Sequence, residues 1–503
     1  MGRRRVHGDG YDHDFHDSHH DPDHDFHLHH HRPAGGLLMS TPGGRTEARA
    51  GRHVPATPSF ASVSSALDRA VTRGLTRVTG TAIGAYQSAV VRIGVSLTWL
   101  LFLLREFPHR GALYGPHSAW GFDLAQRLLA GNHAFSVLMW SDSRAWFEIG
   151  YAFAILSSAA LVLGWRTRTS ALMFMVGVLS LQNRSVFMGD GGDNVVHILA
   201  IYLAFTRCGL VWSLDSRRAR RRAEAARAKA EAAEAAAAEE TAAEEAPEPV
   251  GADAPAPAPV AAAAPVAARA GVDPVGIALW AVFGAVLLGA TLGGKLSDGW
   301  DLVFWACWAG QAVWWAVRRY APGEPRTVLE IVANVVHNGA MLVIVAEVCL
   351  IYSTAGWYKI QGSRWQDGTA LYYPLHLDDF TPWPALSHTM ASHAVVVMLI
   401  TYGTVIVQVA FPFTLFNRRV KNVLLVGMMI EHASIAVVLG LPFFSLAMIS
   451  ADAVFLPTGF LLWAEYQAVS RRRVRESAAG VLPGPRVEAP AEPAVGPPPS
   501  ALT

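Results

Sequence analysis

Lys359 sits in "AGWYKIQGSRWQDGTALYY" (355–373), where an apolar run ends, close to Trp357, Tyr358 and Trp365. The chain has 41 basic residues, of which four are lysine: Lys229, Lys295, Lys359 and Lys421. Arginine keeps its proton near neutral pH, whereas lysine can give it up once desolvated. A lysine at this place therefore suits a base. It also suits an interfacial anchor, with its aliphatic stem along lipid and its ammonium in water beside an aromatic belt.

Other polar groups lie inside apolar runs. Arg92 is in the first. His197 follows Asp193 and Asn194 by one turn in another. His337, Asn338 and Glu347 share a third, Glu431 and His432 lie in "GMMIEHASIAVVLG", and Asp452 is in the last. Charges at membrane depth are costly and face a bundle interior or a polar cavity. Each of them alone is explained as well by a structural pair or a helix contact. Their number argues for at least one polar pocket. The stretch "LQNRSVFMGDGGDNVVHILAIYLAF" (181–205) closes one run with Asn183 and Arg184, turns at Gly189, Gly191 and Gly192, and opens the next with Asp193 and Asn194. These last two suit the capping of free helix amides. On a functional reading they add a polar rim to the mouth of a bundle.

The elements that must carry these groups are membrane helices. Of 503 residues, 52% are hydrophobic and 16% charged, well below the charge of a soluble protein. A net charge of +1 gives no reason to expect a nucleic-acid partner. Long apolar blocks predict an all-α, polytopic bundle of about 8–10 spans in the cell membrane. The expected spans are 86–106, 146–164, 170–188, 193–213, 275–293, 300–317, 328–355, 393–416, 420–440 and 443–463. Arginine clusters follow at 166–168, 217–222, 318–326, 417–421 and 471–475, all on one side of this alternation. The positive-inside rule makes that side cytoplasmic, with both termini there.

Outside the spans the composition changes. Residues 1–80 open with a His/Asp-rich segment, "VHGDGYDHDFHDSHHDPDHDFHLHHH", which reads as a disordered tail or as loose metal binding. A start at Met39 would remove it. Residues 216–273 read as a cytoplasmic linker, an Ala/Glu-rich helix followed by a Pro/Ala spacer. The tail 476–503 is Pro-rich and expected to be disordered. Cys208, Cys307 and Cys349 are scattered in apolar blocks, with no disulfide or zinc spacing.

Three stretches give the chain a resemblance to the HTTM family, bacterial membrane proteins related to vitamin K-dependent gamma-carboxylase. "AGWYKIQGSRWQDGTALYY" is similar to the family stretch in which a lysine follows Ala-Gly at the end of a span. "NRSVFMGDGGDNVVHILAIYLAF" with "WSLD" (212–215) resembles its paired spans with a polar turn. "EHASIAVVLGLPFFSLAMISADAVFLP" (431–457) resembles a family stretch with a His before a Phe-Ser-rich span. The likeness covers 86–215 and 328–465, with an apparent extra helical pair at 275–317. Residue 358 is Tyr where animal carboxylases have a second lysine, and the large extramembrane domain of the carboxylases has no counterpart here.

The resemblance implies quinol-dependent oxidation or carboxylation-type chemistry. Lys359 would be the base toward reduced menaquinone, a vitamin K-type quinol, with no metal required. His197, His432 or Asn194 would assist catalysis by hydrogen-bonding oxyanions. Asn183, Arg184, Asp193, Asn194, Trp357 and Tyr358 would line the quinone site. The alternative is a non-catalytic membrane partner in maturation or export of a secreted peptide, bound at the loops 107–144 and 356–392. A third reading is a transporter using Glu347, Glu431, His432 and Asp452 as a relay, although no inverted repeat supports it.

Overall fold

A computed structural model describes residues 60–244, 273–321 and 323–480. The His/Asp-rich segment, Met39, the Pro/Ala spacer and the tail from 481 lie outside the described residues. The chain divides into two units, 1–63 and 64–503. Of the first, only residues 60–63 are described, as the opening of a helix.

Among the described residues there are helices and no strands. In chain order they are α1 (Phe60–Gly80), α2 (Ala85–Glu106), α3 (Arg110–Tyr114), α4 (Phe122–Asn132), α5 (Arg144–Leu163), α6 (Thr167–Arg184), α7 (Gly191–Leu203) and α8 (Leu214–Glu244). There follow α9 (Pro274–Leu292), α10 (Asp298–Tyr320), α11 (Glu324–Gln361), α12 (Ser363–Gln366), α13 (Pro384–Ala391), α14 (Ala394–Ala410), α15 (Arg418–Val438), α16 (Pro442–Asp452) and α17 (Thr458–Gly480).

Among the described residues six helical segments are long and apolar enough to cross a bilayer: Ala85–Tyr114, Arg144–Leu163, Pro274–Leu292, Glu324–Gln361, Ala394–Thr414 and Arg418–Val438. The pair Pro442–Phe455 and Thr458–Arg471, bent by 109°, is a broken span or a re-entrant loop. The expected spans differ from these segments at four places. The run 170–188 folds as α6, which carries Arg168, Gln182, Asn183 and Arg184 and buries thirteen of its 18 residues inside the bundle. The run 193–213 is helical only to Leu203, after 13 residues, and continues as turns with Trp212 at φ 49°. The run 300–317 is α10, 23 residues long but charged at both ends by Asp298, Asp301, Arg318 and Arg319. The run 443–463 breaks before Pro457, which holds Leu456 extended (φ −60°, ψ 136°) as a residue before proline prefers.

The core is built by α2, α5, α6, α7 and α16. Small residues let these helices close in: a Cβ on Gly94 would strike Ser450 of α16, and one on Gly177 would press on Ala154 of α5. Two buried arginines act as rivets. Arg92 donates to the carbonyls of Leu161 (2.9 Å) and Trp212 (2.7 Å), the first of which also accepts from Gly164 N at the end of α5. Arg184 donates to Trp120 O (3.0 Å) and Gly115 O (2.7 Å), fixing the loop before α4.

A polar knot ties the α1–α2 turn to α11. Both ring nitrogens of His337 are engaged, Nδ1 accepting from Arg207 N (2.9 Å) and Nε2 bonding Ile83 O (2.9 Å). Asn334 donates to Thr79 O (2.9 Å) and accepts from Arg207 (2.5 Å). Asn338 donates to Val78 O and Thr81 O and accepts from Ile83 N. Arg207 also pairs with Glu330 at 2.7 Å. Similar contacts join Asp215 to the amides of Arg166 and Thr167, and Lys421 to Phe455 O. Helix α8 is exposed from Arg217 to Ala238, as its Ala, Glu and Arg content requires.

Candidate functional site

Lys359 lies in the last turn of α11. Its Nζ donates to Gln408 Oε1 of α14 at 2.8 Å, and it stands 5.2 Å from the Trp365 ring centre. The Ala-Gly before it now has a physical reason. Gly356 shares the helix face of Lys359, and a Cβ there would strike Val409. The glycine lets α14 approach closely enough for Gln408 to reach the lysine. Gln408 is buried and passes the contact on, its Nε2 donating to Glu431 Oε1 of α15 at 2.6 Å.

The neighbouring His432 belongs to a second, fully enclosed set. Tyr352 precedes Lys359 by seven residues, two turns or about 10 Å along the same face of α11. Its hydroxyl donates to Asp452 Oδ1 of α16 at 2.9 Å and meets His432 Nε2 at 3.0 Å. Tyr352, His432 and Asp452 are 1%, 2% and 0% exposed, so water does not share these bonds. The phenol has one proton, and Asp452 takes it. The bond to His432 then requires Nε2–H as donor, which leaves His432 Nδ1 as a bare acceptor. Both His432 Nδ1 and Asp452 Oδ2 are buried without a partner. Phe411 and Phe444 close the set, their ring centres 6.0 Å from Tyr352 and 5.7 Å from His432. Glu431 lies within electrostatic reach of Lys359, Tyr352 and Asp452, which joins the two sets into one seam.

The seam has a chemical direction. Lys359, Gln408 and Glu431 form a donor-to-acceptor chain. His432 and Asp452 flank a phenol and keep two acceptor sites open. Such an arrangement can take up a proton from a hydroxyl-bearing molecule and hold charge nearby.

Of the residues singled out from sequence, Lys359 and His432 come together here. The others have different places. His197 bonds Gln182 Oε1 through Nδ1 at 2.8 Å, within the α6–α7 hairpin. Asn183 donates to Phe135 O at 2.8 Å, and Arg184 is the rivet already described. Asp193 closes a capping box with Asp190 at the start of α7, and Asn194 is exposed. Trp357 and Tyr358 are 61% and 73% exposed and point away from the seam. The ring that meets the lysine is Trp365. Tyr352 and Gln408 were not marked by sequence reasoning. The available signal for Tyr352 was its seven-residue spacing from Lys359; Gln408 offered only an amide inside an apolar helix. Among the described residues no three His, Cys, Asp or Glu side chains converge as a metal ion would need.

Comparison with known proteins gives no family model, no curated protein and no solved structure that matches this chain.

Proposed function

We propose that this integral membrane protein is an HTTM-like enzyme that performs acid–base chemistry on a reduced quinone drawn from the bilayer. The observation that carries the reading is the open pair of acceptors, His432 Nδ1 and Asp452 Oδ2, on the same seam as Lys359. A quinol carries two hydroxyl donors on an aromatic ring, and two acceptors beside the rings of Phe411 and Phe444 are the chemistry that would recognise such a group. The quinol supplies reducing equivalents to oxygen. The chain supplies the rest: Lys359 takes the hydroxyl proton, Gln408 holds the amine toward the seam, and Glu431 balances its charge. Tyr352 holds His432 in the tautomer that accepts at Nδ1. The arginine-rich turns at 166–168 and 217–222 support a cytoplasmic position for the segment between α5 and α9.

The test is quinone epoxidation. Purified protein receives reduced menaquinone and oxygen, and the epoxide is sought by mass spectrometry beside Lys359→Arg. Arginine keeps the charge and cannot act as the base. Product from wild type alone supports the reading. Equal product from both removes Lys359 from the role, and no product from folded wild type removes the quinol chemistry.

A further inference from the structure

Helix α1 is amphipathic and stands clear of the bundle. Leu67, Val71 and Leu75 form a stripe at four-residue spacing, and they are 63%, 59% and 63% exposed. Arg69, Arg73 and Arg77 run at the same spacing on another side, with Asp68 the single acid between 65 and 80. From Leu67 to Arg77 every residue is exposed, so no other part of the described chain covers the apolar stripe. The helix is not loose at its far end. Asn334 and Asn338 of the polar knot hold Val78 O, Thr79 O and Thr81 O, and His337 holds Ile83 O. Two residues further on, Ala85 opens α2, the first membrane crossing. The knot therefore anchors α1 at the level where the chain enters the bilayer.

We propose that α1 lies on the membrane surface, its Leu67–Val71–Leu75 stripe sunk among the acyl-chain ends and its arginines on anionic lipid headgroups of the same bilayer that α2 crosses. A water-exposed apolar stripe is unfavourable, and the plane at which the knot pins the helix is the one where headgroups lie. An apolar stripe beside a row of arginines is the chemistry that such an interface takes up. The excess of three arginines over one aspartate selects anionic lipid. This inference concerns a surface separate from the Lys359 seam and does not depend on catalysis.

The test uses the full chain in lipid nanodiscs, with Cys208, Cys307 and Cys349 replaced by alanine. Single cysteines at Val71→Cys and Thr76→Cys, on opposite sides of α1, carry an environment-sensitive fluorophore. In phosphatidylcholine/phosphatidylglycerol discs, spin-labelled lipid should quench the label at 71 several-fold more than at 76, with iodide showing the reverse order. Arg69→Gln/Arg73→Gln/Arg77→Gln should abolish the advantage of phosphatidylglycerol over phosphatidylcholine alone. Hydrogen exchange on the unmodified chain gives a measurement free of substitutions: amides 67–77 should slow several-fold on moving from detergent to anionic discs. Equal iodide access at 71 and 76, or exchange unchanged by lipid, overturns the proposal. So does protection at 71 that follows protein concentration rather than lipid, which would mark a second copy as the occupant.

Discussion

The polar knot and the Lys359 seam are both buried, polar and built around a histidine, yet they are wired differently. In the knot the side chains of Asn334, His337 and Asn338 bond mainly to backbone: Val78 O, Thr79 O, Thr81 O, Ile83 N and O, and Arg207 N. Both His337 nitrogens are used. In the seam the side chains bond to one another, and His432 keeps one nitrogen free. Side chains that satisfy backbone replace lost secondary-structure bonds and hold turns in place. Side chains that satisfy one another, with acceptors left open, hold a chemical arrangement at some cost in stability. The difference separates a cluster that holds backbone from one that holds side chains, without reference to residue type.

The comparison breaks most visibly in turnover. Gln408→Leu, which cuts Lys359 from Glu431, should lower quinol-dependent turnover roughly 100-fold, the lower range for losing a positioned acid–base group. Asn334→Leu in the knot should leave turnover per folded molecule unchanged while lowering the thermal midpoint. Stability sharpens the contrast next. His337→Ala and His432→Ala remove the same volume from buried sites, but the first strands a part-buried amide and a carbonyl. It should cost about 1–3 kcal/mol more than the second in denaturation in detergent. Gly356→Ala forces α11 from Val409 and should cost about 1–2 kcal/mol, with a parallel fall in turnover as Gln408 moves off the lysine. Equal turnover in that variant would mean that the lysine contact tolerates slack.

The smallest effect belongs to an ion pair outside the spans. Arg166 grips Asp273 with two bonds of 2.6 and 2.5 Å. That hydrogen bonding holds the Asp273 carboxyl down at about 2. A depressed carboxylate stabilises the fold above its ordinary value and stops doing so as it protonates. The contribution should be full above about pH 4 and fade toward about pH 2. Asp273 is half exposed, so Arg166→Gln should cost under about 1 kcal/mol near neutrality. Thermal midpoints of the two proteins should converge as the pH is lowered through that window.

Sequence reading succeeded where lipid decides the composition. The expected spans 146–164, 275–293 and 420–440 coincide closely with Arg144–Leu163, Pro274–Leu292 and Arg418–Val438, because a lipid-facing helix must be apolar throughout. It faltered where protein replaces lipid as the surroundings. Helix α6 hides Arg184 against carbonyls, so its sequence reports its neighbours and not the bilayer. The site was half legible for a related reason. Lys359 stands out as a rare lysine at a helix end. Trp357 and Tyr358 are next to it in sequence, but each residue turns about 100° around a helix. The face of Lys359 is shared by Gly356 and Tyr352 instead. Gln408 and Asp452 join it only through the packing of four helices, which no local spacing records.

Helix α16 has a consequence for how the molecule is made. Its eleven residues span about 16 Å, roughly half the hydrocarbon thickness, and end on the fully enclosed Asp452. Such a segment has no stable position of its own in a membrane. It is held by α2, α7 and α15, all of which precede it in the chain. The nascent protein thus completes the receptacle before it synthesises the piece that fills it. The hydrogen bond from Tyr352 to Asp452 therefore requires that α16 has docked between helices made before it.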